Sequence, residues 1–148
     1  GLGTTLVCAI LSKDYLIFAN IGDSSGFVYK KGVLYKVTKD HTLVNILVES
    51  GELRKEEAEN HPQKNVLMKA LGAAEKVEPD IFDVETTVDG IFLCSDGLTN
   101  MVSKEQIERV LNDEELDINE KVDKLILKSN LRGGNDNVSI AFLSREGV

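Results

Sequence analysis

The sequence predicts an α+β fold in which antiparallel hairpins come first and helices follow. Three observations carry this. Residues 4–37 hold apolar runs separated by turn residues at hairpin spacing. The apolar spacing turns helical at Leu43 and again after Ser103. Between these, Gly90-Ile91-Phe92-Leu93-Cys94-Ser95-Asp96-Gly97 reads as a buried strand that ends on a carboxylate.

Composition narrows the classes. A chain of 148 residues suggests one domain, and 42% hydrophobic with 28% charged residues describes a globular core rather than disorder. The net charge of −8 argues against nucleic acid, which selects basic faces. No apolar run approaches the roughly 20 residues needed to cross a membrane. We expect no secretory leader. The chain opens on Gly1 rather than Met and enters a strand at once, so we expect it to begin inside something larger. Cys8 and Cys94 lie in apolar runs without metal-type neighbours, which predicts buried free thiols and a cytoplasmic setting.

Taken in order, residues 4–11 and 15–21 predict two strands joined at Lys13-Asp14 as a hairpin. The second ends on Gly22-Asp23-Ser24, an acidic turn after a buried strand. Residues 27–29 and 33–37 flank Lys31-Gly32, a second hairpin. Leu43, Ile46 and Leu47 give a helix that Gly51 stops. Residues 54–60 predict a short charged helix closed by Pro62, with one more turn over 65–71. Residues 41–76 thus form a helical insertion whose charges read as a solvated face. Ile81 to Thr87 alternates and is expected to pair with Ile91 to Cys94 across Asp89-Gly90. Ser103 and Gln106 have capping-box spacing ahead of Ile107, Val110 and Leu111. A further helix follows Asn119, with Val122, Leu125 and Ile126 inward. Gly133 to Asn137 is a tight polar loop before a last strand over 138–143.

Three acidic turns share one design. Asp23 and Asp96 follow strands, and Asp136 precedes one. An Asp at the rim of a buried strand is costly unless its charge is met, and a cation meets it. Carboxylates converging at one rim suit a hard cation such as magnesium or manganese. Each alone also reads as an Asx turn or helix cap. Gly97 lets the chain turn sharply or a ligand approach. Asn135-Asp136-Asn137 lacks the acidic ladder of a calcium loop. Zinc is unsupported, because His41 and His61 have no Cys partners and read as surface or cap residues. Neither a Gly-rich phosphate loop nor a serine nucleophile elbow is present.

Six segments add a resemblance. Gly3-Thr4-Thr5, Ala19-Asn20-Ile21-Gly22-Asp23-Ser24, Thr38-Lys39-Asp40-His41, His61-Pro62, Ser95-Asp96-Gly97-Leu98 and Asn135-Asp136-Asn137-Val138 stand in order along nearly the whole chain. Their order and spacing resemble the metal-dependent (PPM, type 2C) protein serine/threonine phosphatases in their bacterial form. The resemblance implies a sandwich of two antiparallel β-sheets flanked by helices. It implies that Asp96 is a ligand of a catalytic metal pair and of a third, weaker metal. Asp136 would complete the pair's ligands from this stretch, and Asp23 would bind the third metal. The ions would be two or three Mn2+ or Mg2+. Residues 41–76 match the flap beside the active site. Partners would be phosphorylated protein substrates of a Ser/Thr kinase.

Two departures stand out. Ser25 occupies the place where the family usually has Arg. The first part of the family domain has no counterpart here, and with it go the Asp that bridges the two metals and an Arg that holds phosphate. Residues 1–148 would then be a single catalytic domain without its N-terminal part. The expected function of the intact protein is hydrolysis of phosphoserine or phosphothreonine by a metal-activated water, and this stretch alone is expected to be inactive and prone to self-association. The alternative is a non-catalytic binding module using the same fold and flap surface. The presence of all three expected carboxylates favours the enzyme.

Overall fold

The computed structural model describes residues 1–145. Among these residues, seven strands form two antiparallel sheets. The first has the order β1 (Leu6–Leu11), β2 (Leu16–Ile21), β5 (Asp80–Val84). The second has the order β4 (Val33–Lys36), β3 (Ser25–Lys30), β6 (Gly90–Cys94), β7 (Ile140–Ser144). Both expected hairpins form. β1 pairs with β2 from Leu6 against Ile21 to Leu11 against Leu16. β3 pairs with β4 around Lys31 and Gly32, which both take positive φ, as a type I′ turn requires.

The sheets pack face to face. Their shared core contains Leu16 and Phe18 from β2, Val28 from β3, Val88, and Ile91 from β6, with Phe82, Val84 and Leu93 at its margin. The far side of the second sheet carries a larger core. There Phe27, Tyr29, Phe92 and Cys94 meet a helical layer. That layer comprises α3 (Asp96–Thr99), α4 (Lys104–Leu111) and α5 (Ile118–Leu131). It contributes Leu98, Ile107, Val110, Leu111 and Leu125, all buried. Phe92 contacts Phe27 and Phe142 edge-on, which suits the ring quadrupoles. The layer order is therefore sheet, sheet, helices. The outer face of the first sheet has no covering layer among the described residues, and Leu6, Ile10 and Ile81 are exposed there.

Local chemistry accounts for the helix ends. Ser103 caps α4 in the expected capping box with Gln106. α5 begins earlier than the spacing suggested. Asp117 accepts from the Glu120 N–H at 2.9 Å and starts the helix at Ile118. α1 (Leu43–Glu49) is capped by Thr42, and α2 shrinks to Lys55–Ala58. The extra turn expected over 65–71 is absent. That backbone is held by distant partners instead, with Leu71 and Thr4 exchanging hydrogen bonds of 2.8 and 3.0 Å. Cys94 is buried and Cys8 only partly so; both are free.

One pairing differs from expectation. β5 and β6 do not form a hairpin. β5 pairs with β2, Phe82 opposite Phe18, and β6 pairs with β3 and β7. The link between them crosses from one sheet to the other with Val88 buried at the crossing. Asp89 ties that link down: its Oδ2 accepts from the Lys31 N–H at 2.7 Å and its N–H donates to Tyr29 O at 2.8 Å. Each strand has an apolar inner face. Facing each other across the sandwich lets both faces be buried, whereas a hairpin would place them side by side.

Phe92 is fully buried while Ile81 is 60% exposed. Phe92→Ala is expected to cost about 3–5 kcal/mol, and Ile81→Ala about 0.5 kcal/mol. Urea unfolding of the two variants measures both, and equal losses would contradict the layer order.

Candidate metal centre

β6 is the strand that gathers the acidic residues. Cys94 lies opposite Ser25 of β3 on one side and Ile140 of β7 on the other. Asp96 is two residues past Cys94, Asp23 two before Ser25, and Asp136 four before Ile140. Antiparallel pairing on both sides therefore delivers all three to the same end of the second sheet.

The Asp23 turn is built from below. Gly22 has φ of +107°, and a Cβ there would fall 2.4 Å from Thr5 Cγ2, so only glycine fits. The Gly22 N–H donates to His41 Nδ1 at 2.9 Å, and the His41 N–H donates to Gly22 O at 2.9 Å. With Nδ1 accepting, the ring proton sits on Nε2 and is donated to Asp80 Oδ2 at 2.8 Å. His41 thus positions the turn that carries Asp23. Buried Asn20 donates through Nδ2 to Gly22 O at 3.2 Å and Lys39 O at 2.9 Å. Its Oδ1 is buried with no hydrogen-bond partner among the described residues. Ser25, where the family usually has Arg, is buried at the start of β3.

Asp96 is the first residue of α3, with Ser95 at the cap position, rather than part of an open loop. Ser95 Oγ accepts from the Ser139 N–H at 2.9 Å and donates to Asn137 O at 3.4 Å. Gly97 admits a close neighbour, but that neighbour is the chain itself: a Cβ there would lie 2.1 Å from Asn137 O. From behind, the buried Ser129 hydroxyl donates to Gly97 O at 2.8 Å. Asp96 and the loop bearing Asp136 are thereby locked together. Asp96 and Asp136 line one cleft of about 360 Å³, with Lys64, Asn65 and Asn100 at its walls.

The electrostatics reflect this crowding. Asp23 is pushed up to about 6, first by burial and then by the charges of Asp96 and Asp40. Asp96 is raised by burial and by Asp136. Asp40 is the member of this group that sequence reasoning did not assign. It lies in the Thr38-Lys39-Asp40-His41 segment and pairs with Lys36 Nζ at 2.8 Å. Cys94 is pushed up to about 12 by burial, so its thiol stays protonated and inert.

These donors fit a hard divalent cation in kind. They are carboxylate oxygens, those of Asp23 and Asp96 partly buried, and burial together with the charge of their acidic neighbours raises the pKa of both. They do not fit in number. Among the described residues, no three or more His, Cys, Asp or Glu side chains are grouped closely enough to hold one ion. Asp136 itself is exposed, its Oδ1 accepting from the Asn137 N–H at 2.7 Å.

Gly97→Ala must displace the Asn137 carbonyl and is expected to cost about 1–3 kcal/mol. Thermal unfolding reads the loss, and amide shifts at Asp136 and Asn137 read the displacement. An unchanged melting temperature would show that this contact does not lock the site.

Comparison with known proteins agrees with the architecture. Residues 1–132 match the family model described as "Protein phosphatase 2C". The chain is 46% identical over 146 residues to the serine/threonine phosphatase stp of Listeria welshimeri, covering 98% of this chain and 58% of that relative. The crystal structure of serine/threonine phosphatase Stp1 from Staphylococcus aureus superposes with a TM-score of 0.91 at 36% identity, covering 99% of this chain and 58% of that one. The catalytic domain of the phosphatase PstP, solved in complex with two manganese ions, gives 0.81 at 35% identity, covering 96% and 58%. The chain thus spans about 58% of the length of the curated relatives it matches. No helix among the described residues is long and apolar enough to cross a membrane.

Proposed function

The chain belongs to the protein phosphatase 2C family, and from that premise we propose that it is the larger part of a catalytic domain that removes phosphate from phosphoserine and phosphothreonine in proteins. In this reading residues 1–148 lack the N-terminal part of that domain, and 41–76 are its flap. The substrates are phosphoproteins made by a Ser/Thr kinase. The observation that carries the proposal is the register around β6, which brings Asp23, Asp96 and Asp136 to one end of one sheet.

Asp96 and Asp136 would help hold the principal pair of Mn2+ or Mg2+ ions, with Asp23 serving a third, weaker ion beside Asp96. Bound metal supplies positive charge to the phosphoryl oxygens and acidifies a water nucleophile. The chain's own residues do the positioning. Gly97, Ser95 and Ser129 fix the Asp96 backbone against the loop of Asp136. His41 and Asn20 hold the Asp23 turn. Cys94, protonated and buried, is no candidate nucleophile, which supports direct attack by water.

Metal binding tests the assignment without turnover. In calorimetric titration of the chain with Mn2+, Asp96→Asn is expected to weaken binding by more than about tenfold, since even loss of a supporting group around a metal costs that much. Asp23→Ala should weaken it less. Equal losses, or none, would overturn the division of roles.

The chain alone is expected to show little turnover. Hard cations take six or more oxygen ligands, and the carboxylates grouped here supply too few. The uncovered face bearing Leu6, Ile10 and Ile81 is expected to drive self-association. A phosphopeptide assay with manganese, run beside gel filtration, checks both. Strong manganese-dependent turnover by a clean monomer would refute the ligand count and the exposed-face argument together.

A further inference from the structure

A groove of about 930 Å³ opens beside the metal cleft. The two are continuous, because Lys64, Asn65, Asn100 and Met101 line both. One wall comes from α2 and the segment after it, the other from the α3–α4 connection. Its charged lining is Lys55, Lys64, Lys104 and Arg132 against Glu59 and Glu105. The groove is therefore locally cationic in a chain of net charge −8. The N-terminal turn of the eight-residue helix α4 also lines it, adding the positive end of a helix dipole.

The four cations differ in what they already do. Lys104 Nζ is committed to Glu108 at 2.9 Å and to Leu34 O at 3.2 Å. Arg132 donates to Met101 O at 3.0 Å and to Gln106. These two hold the wall together. Lys55 and Lys64 have no side-chain hydrogen bond or ion pair among the described residues. Lys64 stands where groove and cleft meet, and Lys55 stands on α2. Two uncommitted ammonium groups along a groove that leaves a phosphate-processing cleft form a track for negative charge.

We infer that this groove receives the peptide on one side of the phosphorylated residue, and that Lys64 and Lys55 select substrates with acidic residues on that side. The inference rests on the proposed phosphatase reading, because the cleft must hold the phosphoryl group for the groove to hold its neighbours. The occupant is an extended acidic segment. Successive residues advance about 3.3–3.6 Å each, so alternate side chains can meet the two lysines in turn. The chain's net charge of −8 disfavours such a segment away from this locally cationic groove. The preference is one-sided because the groove leaves the cleft in one direction.

The test measures binding of fluorescent peptides to the chain with Mn2+ present. Three phosphoserine peptides are compared: neutral flanks, glutamates before the phosphoserine, and glutamates after it. One of the two acidic peptides is expected to bind about fivefold tighter than the neutral one, the effect of two exposed charge pairs. The preference should fade as salt shortens the screening length. In the double variant Lys55→Glu, Lys64→Glu the acidic-to-neutral affinity ratio should fall to about one or below. Both lysines are exposed, and circular dichroism checks that the variant is folded. Equal tightening by both acidic peptides, or a ratio that survives in the double variant, overturns the inference. Hydrolysis assays of a longer protein that includes this chain separate the two readings. Acidic preference without any hydrolysis refutes the phosphatase reading alone, and hydrolysis without preference refutes the groove alone.

Discussion

The pairing of β6 with β3 on one side and β7 on the other is the constraint on which the rest of the site depends. Ser25, Cys94 and Ile140 lie in one row across three strands. Each acidic residue is a fixed, short distance along the chain from that row. A slip of one residue in either pairing would turn every side chain of the slipped strand to the opposite face. It would also move one carboxylate away from the others. Shape complementarity of the two cores opposes the slip, since Phe92 and Cys94 pack against the helices while Ile91 packs against the first sheet. Core packing and site assembly are thus the same specification. What stabilises the sandwich also sets the spacing of the acids.

Gathering carboxylates at a partly buried rim opposes folding, and the structure shows where that strain is met. Asp23 keeps a proton well above the usual carboxylate range because burial and its acidic neighbours oppose its ionisation. Rigid local devices surround the cluster: a glycine at positive φ, a histidine with both ring nitrogens engaged, and a backbone-to-backbone approach that a single methyl would block. None of these contributes much apolar burial. They hold acidic side chains in place against mutual repulsion. A cation bound only by the folded state would reverse the sign of that repulsion and add stability by mass action.

Much of this was legible in the sequence. Turn pairs located both early hairpins, the Ser103–Gln106 spacing located a helix start, and the strand-flanking positions singled out Asp23, Asp96 and Asp136. The misses share a cause, which is that local pattern carries no information about which distant partner a segment takes. β5 has the alternation, and β5 and β6 have the Asp-Gly link, of a hairpin, yet Val88 and Asp89 route them into different sheets. Residues 65–71 read as one more helical turn, yet Thr4 and Thr42 take up their backbone. His41 lacked any ligand spacing, because its partners Gly22 and Asp80 lie 19 and 39 residues away. Asp40 stood in a segment noted for its resemblance, but its proximity to Asp23 is a product of the tertiary fold.

The two sheets are not equally supported, and this bears on the site. The second sheet is packed on both faces, by the first sheet and by the helices. Among the described residues, the first is packed on its inner face only. Asp96 and Asp136 both belong to the well-buttressed side, joined through Ser95, Gly97 and Ser129. Asp23 lies in the turn where β2 of the first sheet passes into β3 of the second. Its position therefore depends on how the sheets sit against each other, with buried Asn20 of β2 and His41 from the segment after β4 holding the turn. In the proposed metal arrangement, this place between the two sheets is the structural basis for giving Asp23 the weaker position.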